Sequence, residues 1–272
     1  LCLPMIGFGQ GWKTTFNGGI DTDFGSSVQQ TTDGGYIICG ETDSSGNQDD
    51  YDVYLIKTDG NGNEQWTKTF GGTAYSKGFS VQQTTDGGYI ITGITSFGIG
   101  DSDVYLIKTD GYGVEQWTKT FGGTSFDEGR SVQQTTDGGY IIAGRTDPNG
   151  LTFEVYLIKT DGNGNEQWSK TITEYPFLNL PLNSGGFCVQ QTFDGGYIIT
   201  GYILTVDNDE DVYLIKTDNQ GNVTSTFNIP INPNRKLQKT VDILGKETKP
   251  QNNTPLIEIY DDGTVEKRIV IE

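Results

Sequence analysis

Ser80-Val81-Gln82-Gln83-Thr84-Thr85-Asp86-Gly87-Gly88-Tyr89-Ile90-Ile91-Thr92-Gly93 opens a unit that the chain writes four times. The unit continues, after a loop, with Asp103-Val104-Tyr105-Leu106-Ile107-Lys108-Thr109-Asp110 and Glu115-Gln116-Trp117-Thr118-Lys119-Thr120-Phe121. The same words begin at Ser27, Ser131 and Cys188, and their first valines (Val28, Val81, Val132, Val189) are 53, 51 and 57 residues apart. That spacing is close to the ~40 to 50 residues of a four-stranded propeller blade. Val81–Thr84, Gly88–Gly93, Asp103–Thr109 and Glu115–Phe121 are rich in Val, Ile, Tyr and Thr, as strands prefer.

The turns follow from the same text. Asp33-Gly34, Asp86-Gly87, Asp137-Gly138 and Asp194-Gly195 separate first from second strands, and Asp-Gly suits a tight hairpin with both central residues at positive φ. Asp59-Gly60-Asn61-Gly62 and Asp161-Gly162-Asn163-Gly164 separate third from fourth. Asp59-x-Asn61-x-Asn63 has the look of a calcium loop, but its sixth and twelfth positions are Glu64 and Phe70 where an EF-hand needs Gly and Glu, so a hairpin is the better reading. The third strand is apolar almost without alternation (Val53, Tyr54, Leu55, Ile56), which marks a strand covered on both faces.

GGYIITG, then DVYLIKTD, then the W-x-K-T-F-GG ending resembles the bacterial secreted β-propeller repeat family, and through its strand–turn–Trp ending it is similar to quinoprotein-type repeats. The resemblance covers about residues 10 to 228 and implies the blade, not a ligand. Trp12-Lys13-Thr14-Thr15-Phe16 matches the fourth-strand ending of the other copies, whereas the last copy has no Trp after Asp218. The expected fold is therefore all-β: a propeller of four blades, closed by the Trp12 strand completing the last one, since a propeller leaves no open edge. The alternative is that Val223–Phe227 completes the fourth blade.

Residues 1–9 (Leu1 to Gly9) read as the end of a secretory signal, of a form that resembles Bacteroidetes leaders. Residues 229–236 form a Pro/Asn linker after the propeller at 10–228, and the language then changes. Leu237–Leu244, Leu256–Tyr260 and Val265–Ile271 read as three strands with Asp262-Gly263 as a turn. This tail, 237–272, resembles the type A C-terminal sorting domain of the type IX secretion system. Asp242, Gly245, Lys246, Gly263 and Lys267 fall on its motif, with Lys246 where the family has Arg. The resemblance implies the type IX secretion machinery as partner and passage through the periplasm to the cell surface or the medium.

The chain carries 36 acidic against 18 basic residues and no His. A net −18 repels phosphate backbones, so nucleic acid is not an expected partner. No apolar run is long enough to span a membrane. Without His there is no Ser-His or Cys-His nucleophile. No Cys/His cluster suits zinc, no cofactor is expected, and Ca²⁺ is the one cation worth testing. Cys39 and Cys188 read as small buried strand residues, pairing only if first and last blades touch. A monomer is expected.

An acid precedes each third strand: Asp52, Asp103, Glu154, Asp211. Asp49, Asp101 and Asp209 crowd the same loops, and Tyr175 and Phe177 lie in the longest fourth-to-first loop. The acids read first as caps on backbone N–H groups. All these loops vary between copies and fall on one face, which makes them the expected binding face. The function expected is a non-catalytic binding or adhesion module for a glycan or other cell-envelope polymer. The alternatives are a carboxylate-based polysaccharide hydrolase or lyase, and a spacer.

Overall fold

The computed structural model describes residues 11–19, 22–43, 51–96, 102–173, 183–204, 209–223, 236–241, 246–249, 255–261 and 265–269, with 255–257 and 265–269 described by backbone alone. The described residues are all-β and contain no helix, hence none long and apolar enough to cross a membrane. The expected leader at 1–9 lies outside them.

Each copy of the repeat folds as one antiparallel sheet with strands in chain order. The first is β1 (Asp23–Gln30), β2 (Tyr36–Asp43), β3 (Tyr51–Thr58) and β4 (Glu64–Phe70). The second is β5 (Tyr75–Gln83), β6 (Tyr89–Ser96), β7 (Asp103–Thr109) and β8 (Glu115–Phe121). The third is β9 (Asp127–Gln134), β10 (Tyr140–Thr146), β11 (Glu154–Thr160) and β12 (Glu166–Ile172). The fourth has β13 (Ser184–Gln191), β14 (Tyr197–Leu204) and β15 (Glu210–Thr217), with Thr217 bridged to Val223 beyond them.

First strands start earlier than their sequence suggests. β5 reaches back to Tyr75 because a bulge between Gly78 and Ser80 lets pairing with β6 continue to Ser96. The Asp-Gly turns also differ from two-residue hairpins. Gly34 N donates to Thr31 O and Thr31 N to Gly35 O, so the turn spans Thr31–Gly34 and only Gly34 takes positive φ (84°). Asp33 is then free to act as an acceptor, and it receives the Gly35 N–H at 3.0 Å.

Blades are joined face to face. Ile90, Val104, Leu106 and Phe121 of the second meet Val132, Tyr140, Ile142 and Ile158 of the third, each at most 8% exposed. The same sets recur at the other two junctions. Full burial of each such side chain contributes about 1.5–3 kcal/mol. The innermost strands are stitched by side chains: Val132 N donates to Ser80 Oγ (3.3 Å), Gln134 N to Gln82 Oε1 (2.6 Å) and Thr85 N to Gln134 Oε1 (2.9 Å). Within each blade a lysine crosses back to the first turn. Lys57, Lys108, Lys159 and Lys216 reach Asp33, Asp86, Asp137 and Asp194 at 2.8–2.9 Å.

Trp12 packs edge-on against Tyr36 at 5.7 Å, the pose in which Trp66, Trp117 and Trp168 meet Tyr89, Tyr140 and Tyr197 of the next blade. The segment thus stands where a fourth strand preceding blade one would stand. Among the described residues, however, no backbone pairing joins it to β15, and the ring closure expected from the sequence is not made. Cys39 is fully buried, which pushes its thiol far up in pKa, and Cys188 is exposed rather than buried; both thiols are free.

The chain divides into two compact units, residues 1–223 and 224–272. The second is a three-stranded antiparallel sheet, β16 (Leu237–Val241), β17 (Pro255–Tyr260) and β18 (Val265–Ile269), in that order.

Candidate functional site on the loop face

At the loop end of the inner strands each blade presents one variable cross-strand pair beside a constant glycine. These pairs are Phe24↔Glu41, Lys77↔Ile94, Glu128↔Arg145 and Gly185↔Tyr202. The glycine bulge sets them level, so residues that differ between copies gather around the ends of the inner strands. Sequence reasoning looked for variation in the loops and missed these, although their signal was there: four aligned copies that differ on either side of an invariant Gly.

Glu128 is the centre of this group. It is buried (2% exposed) and paired with Arg130 Nε at 2.6 Å and Arg145 Nε at 2.7 Å. Arg145 lies over the rings of Phe153 (4.0 Å) and Phe126 (5.6 Å), and Arg130 over Phe79 at 4.4 Å. Phe187 is half exposed and its ring centroid is 5.4 Å from that of Tyr202, tilted by 33°. In the first two blades Glu41 takes Lys77 at 2.7 Å, and Lys77 Nζ stands 4.6 Å from the Tyr51 ring. Burial pulls the Lys77 pKa down, but its hydrogen bonds to Glu41 and Tyr75 outweigh this and it rises. Planar guanidinium groups and aromatic faces held side by side can donate to hydroxyls and stack on apolar C–H surface.

The expected site residues divide. Asp52 is buried and accepts Gly72 N at 2.9 Å, and Glu154 is buried and receives the Thr173 hydroxyl. Asp209 and Asp211 are exposed. Asp49, Asp101, Tyr175 and Phe177 lie outside the described residues, as do Asp242, Gly245 and Gly263 of the tail. Lys246 is exposed, and Lys267 sits on β18 opposite Ile257. Asp103 is brought to a carboxylate the sequence did not suggest. Its Oδ1 and the Oδ2 of buried Asp127 lie 2.1 and 2.6 Å from the point where a Cβ of Gly122 would stand. The two acids therefore face each other across a residue that must stay a glycine. Asp59 spends its carboxylate on its own turn, accepting Asn61 N (2.8 Å) and Asn63 N (2.9 Å). Among the described residues no group of three or more acidic or Cys side chains converges as a metal site would.

No family model matches the chain. Regulatory protein FlaEY of Caulobacter vibrioides is 28% identical over a region that covers 51% of this chain and 17% of that protein. The chain thus spans about a sixth of the curated relative it matches. Among solved structures, a Hadza microbial sialidase is similar at a TM-score of 0.51 and 11% identity, covering 90% of this chain and 57% of that one. An endo-arabinanase from Bacillus licheniformis is similar at 0.43 and 13%, covering 89% and 91%. The likeness is one of fold: an all-β, propeller-like array of four-stranded sheets.

Proposed function

We propose that this chain is an exported propeller-type module that binds glycans on its loop face without cleaving them. The observation that carries the reading is the Arg130–Glu128–Arg145 group framed by Phe79, Phe126, Phe153 and Phe187. Glu128 is held between two guanidiniums and fixes their positions. What it orients are donors and aromatic faces, the elements of a sugar site.

A second reading, a carboxylate-based glycoside hydrolase, is favoured by the fold shared with a sialidase and by the Asp103–Asp127 pair. Retaining glycosidases hold two carboxyl groups about 5 Å apart. Screening the purified protein on a polysaccharide panel, for retention and for new reducing ends, separates the readings. Retention without new reducing ends is expected. New ends that vanish in Asp103→Asn and Asp127→Asn would establish the hydrolase instead, and neither binding nor cleavage would leave the spacer.

We propose further that the unit holding β16–β18 acts as a type IX export signal and that no cofactor is required. Removing Leu237–Glu272 should leave a propeller that melts like the parent but stays inside the envelope of a host with that machinery. A truncated protein exported normally would sink the export reading.

A further inference from the structure

The turn face, at the opposite ends of the strands from the loop face, carries side chains that the fold does not use up. Cavities of about 510 and 580 Å³ open between blades one and two and between blades three and four. Small-ligand clefts span about 300–1,000 Å³. Both cavities are built from the same parts: the Asp–Lys latch and the tryptophan of the leading blade, and the second-strand tyrosine of the following one. In the first these are Asp33, Lys57, Trp66 and Tyr89. In the other they are Asp137, Lys159, Trp168 and Tyr197.

The tyrosines point to a ligand. Tyr89 and Tyr197, like Tyr140 at the middle junction, are 2% exposed. Their rings lie 5.9 and 5.8 Å from those of Trp66 and Trp168, a contact that phenylalanine would make equally well. Among the described residues no hydrogen bond reaches any of the three hydroxyls. Burial, with the charge of Asp33 nearby, pushes the Tyr89 pKa up to about 12, and burial beside Asp137 does the same to Tyr197. Each phenol therefore keeps its proton at neutral pH and can both donate and accept. A buried hydroxyl without a partner is unfavourable, yet the chain places one at all three junctions.

The other groups of each cavity match one chemistry. Gln83 Oε1 accepts Thr32 N at 2.9 Å and Gln65 Oε1 accepts Lys57 Nζ at 3.1 Å, which leaves both amide NH₂ groups as donors. Gln191 and Gln167 do the same with Thr136 N (2.9 Å) and Lys159 Nζ (3.1 Å). Oδ2 of Asp33 and of Asp137 accepts from its lysine alone and keeps a lone pair. The lysine offsets the aspartate, so the lining carries no net charge. The half-buried tryptophan adds an apolar ring and an N–H. Several donors, one strong acceptor, an aromatic ring and no net charge suit a neutral ligand with many hydroxyls and an apolar C–H face.

We infer that the inter-blade cavities at Tyr89 and Tyr197 each receive one neutral sugar residue. These sites lie apart from the Arg130–Glu128–Arg145 group and stand whether or not that group binds.

Tryptophan fluorescence tests this. Trp12, Trp66, Trp117 and Trp168 are the chain's four tryptophans, and each meets a tyrosine on the turn face. The group around Glu128 contains phenylalanine and tyrosine instead, so the emission reports the turn face alone. The full chain is titrated with glucose, galactose, mannose and N-acetylglucosamine to about 100 mM, which covers the millimolar dissociation constants of weak single sites. At least one sugar should change the emission saturably. The triple variant Tyr89→Phe, Tyr140→Phe, Tyr197→Phe should bind that sugar at least about tenfold more weakly. It should melt as the parent does, because the hydroxyls hold nothing in the fold. Arg145→Ala should titrate like the parent, which separates this site from the loop face. No saturable change with any of the four sugars would overturn the inference, as would a triple variant that titrates like the parent. A triple variant that melts well below the parent would assign the hydroxyls to packing and overturn it too, and loss of the response in Arg145→Ala would assign it to the loop face.

Discussion

Lys108→Met should cost the repeat unit about 2–3 kcal/mol in chemical denaturation, a large share of a domain's stability. The Lys108 side chain is 3% exposed, and its ammonium donates to Asp86 Oδ2 (2.8 Å), Thr109 O (2.8 Å) and Gln116 Oε1 (3.2 Å). Met keeps the volume but leaves a buried carbonyl without its donor, which costs about 1–3 kcal/mol by itself. The same latch sets the acid limb of stability. At Asp86 burial pushes the pKa up, but bonds from Lys108, Thr84 and the Gly88 amide outweigh it and hold the carboxyl at about 2. Asp137 is held at about 2 in the same way. Asp33, bonded first by Thr31 and then by Lys57, is also at about 2, and Asp194 is lowered further. Folded values below the unfolded one mean that this stability is whole above pH ~4 and is lost as pH falls toward ~2. These carboxylates are more than half exposed, so solvent screening leaves about 1 kcal/mol at each of Asp33, Asp86 and Asp137. The acid transition of Lys108→Met should be shallower than the parent's. Equal stability of variant and parent from pH 7 to pH 2 would contradict the latch.

Glu128→Ala should be as damaging and should also remove binding. Two guanidiniums would lose a carboxylate that is itself 2% exposed, and breaking a buried ion pair from one side costs about 3–5 kcal/mol. Glu128→Gln keeps the shape and two acceptor sites' worth of geometry on one oxygen, so it should fold better and still bind weakly. If Glu128→Ala melted with the parent, Arg130 and Arg145 would be held by their aromatic neighbours alone.

Much of this architecture could be read from the chain because it is written four times. The apolar run Val53–Ile56 announced a strand covered on both faces, and β3 is buried along nearly its whole length. Each Asp-Gly marked a turn, yet not its kind, because only the glycine needs positive φ and the aspartate's side chain does the rest. The start of β5 was hidden by the Gly78 bulge, which breaks the two-residue alternation. Cys188 looked like a buried strand residue by comparison with Ser80 and Ser131, and it is exposed. The binding group was hidden for a different reason. Lys77, Glu128 and Arg145 lie inside strands, where variation is usually read as packing, and only the pairing register shows that they share one level.

The most direct test of the glycan-binding claim is hydrogen exchange on the protein with and without the tightest panel glycan, repeated on Arg145→Ala. Protection is expected at Glu128–Arg130, Arg145 and Phe187, and Arg145→Ala should bind at least about tenfold more weakly, as loss of a charged hydrogen-bonding partner implies. Protection confined to the Asp33, Asp86 and Asp137 turns at the opposite ends of the strands, with Arg145→Ala binding as the parent does, would contradict it.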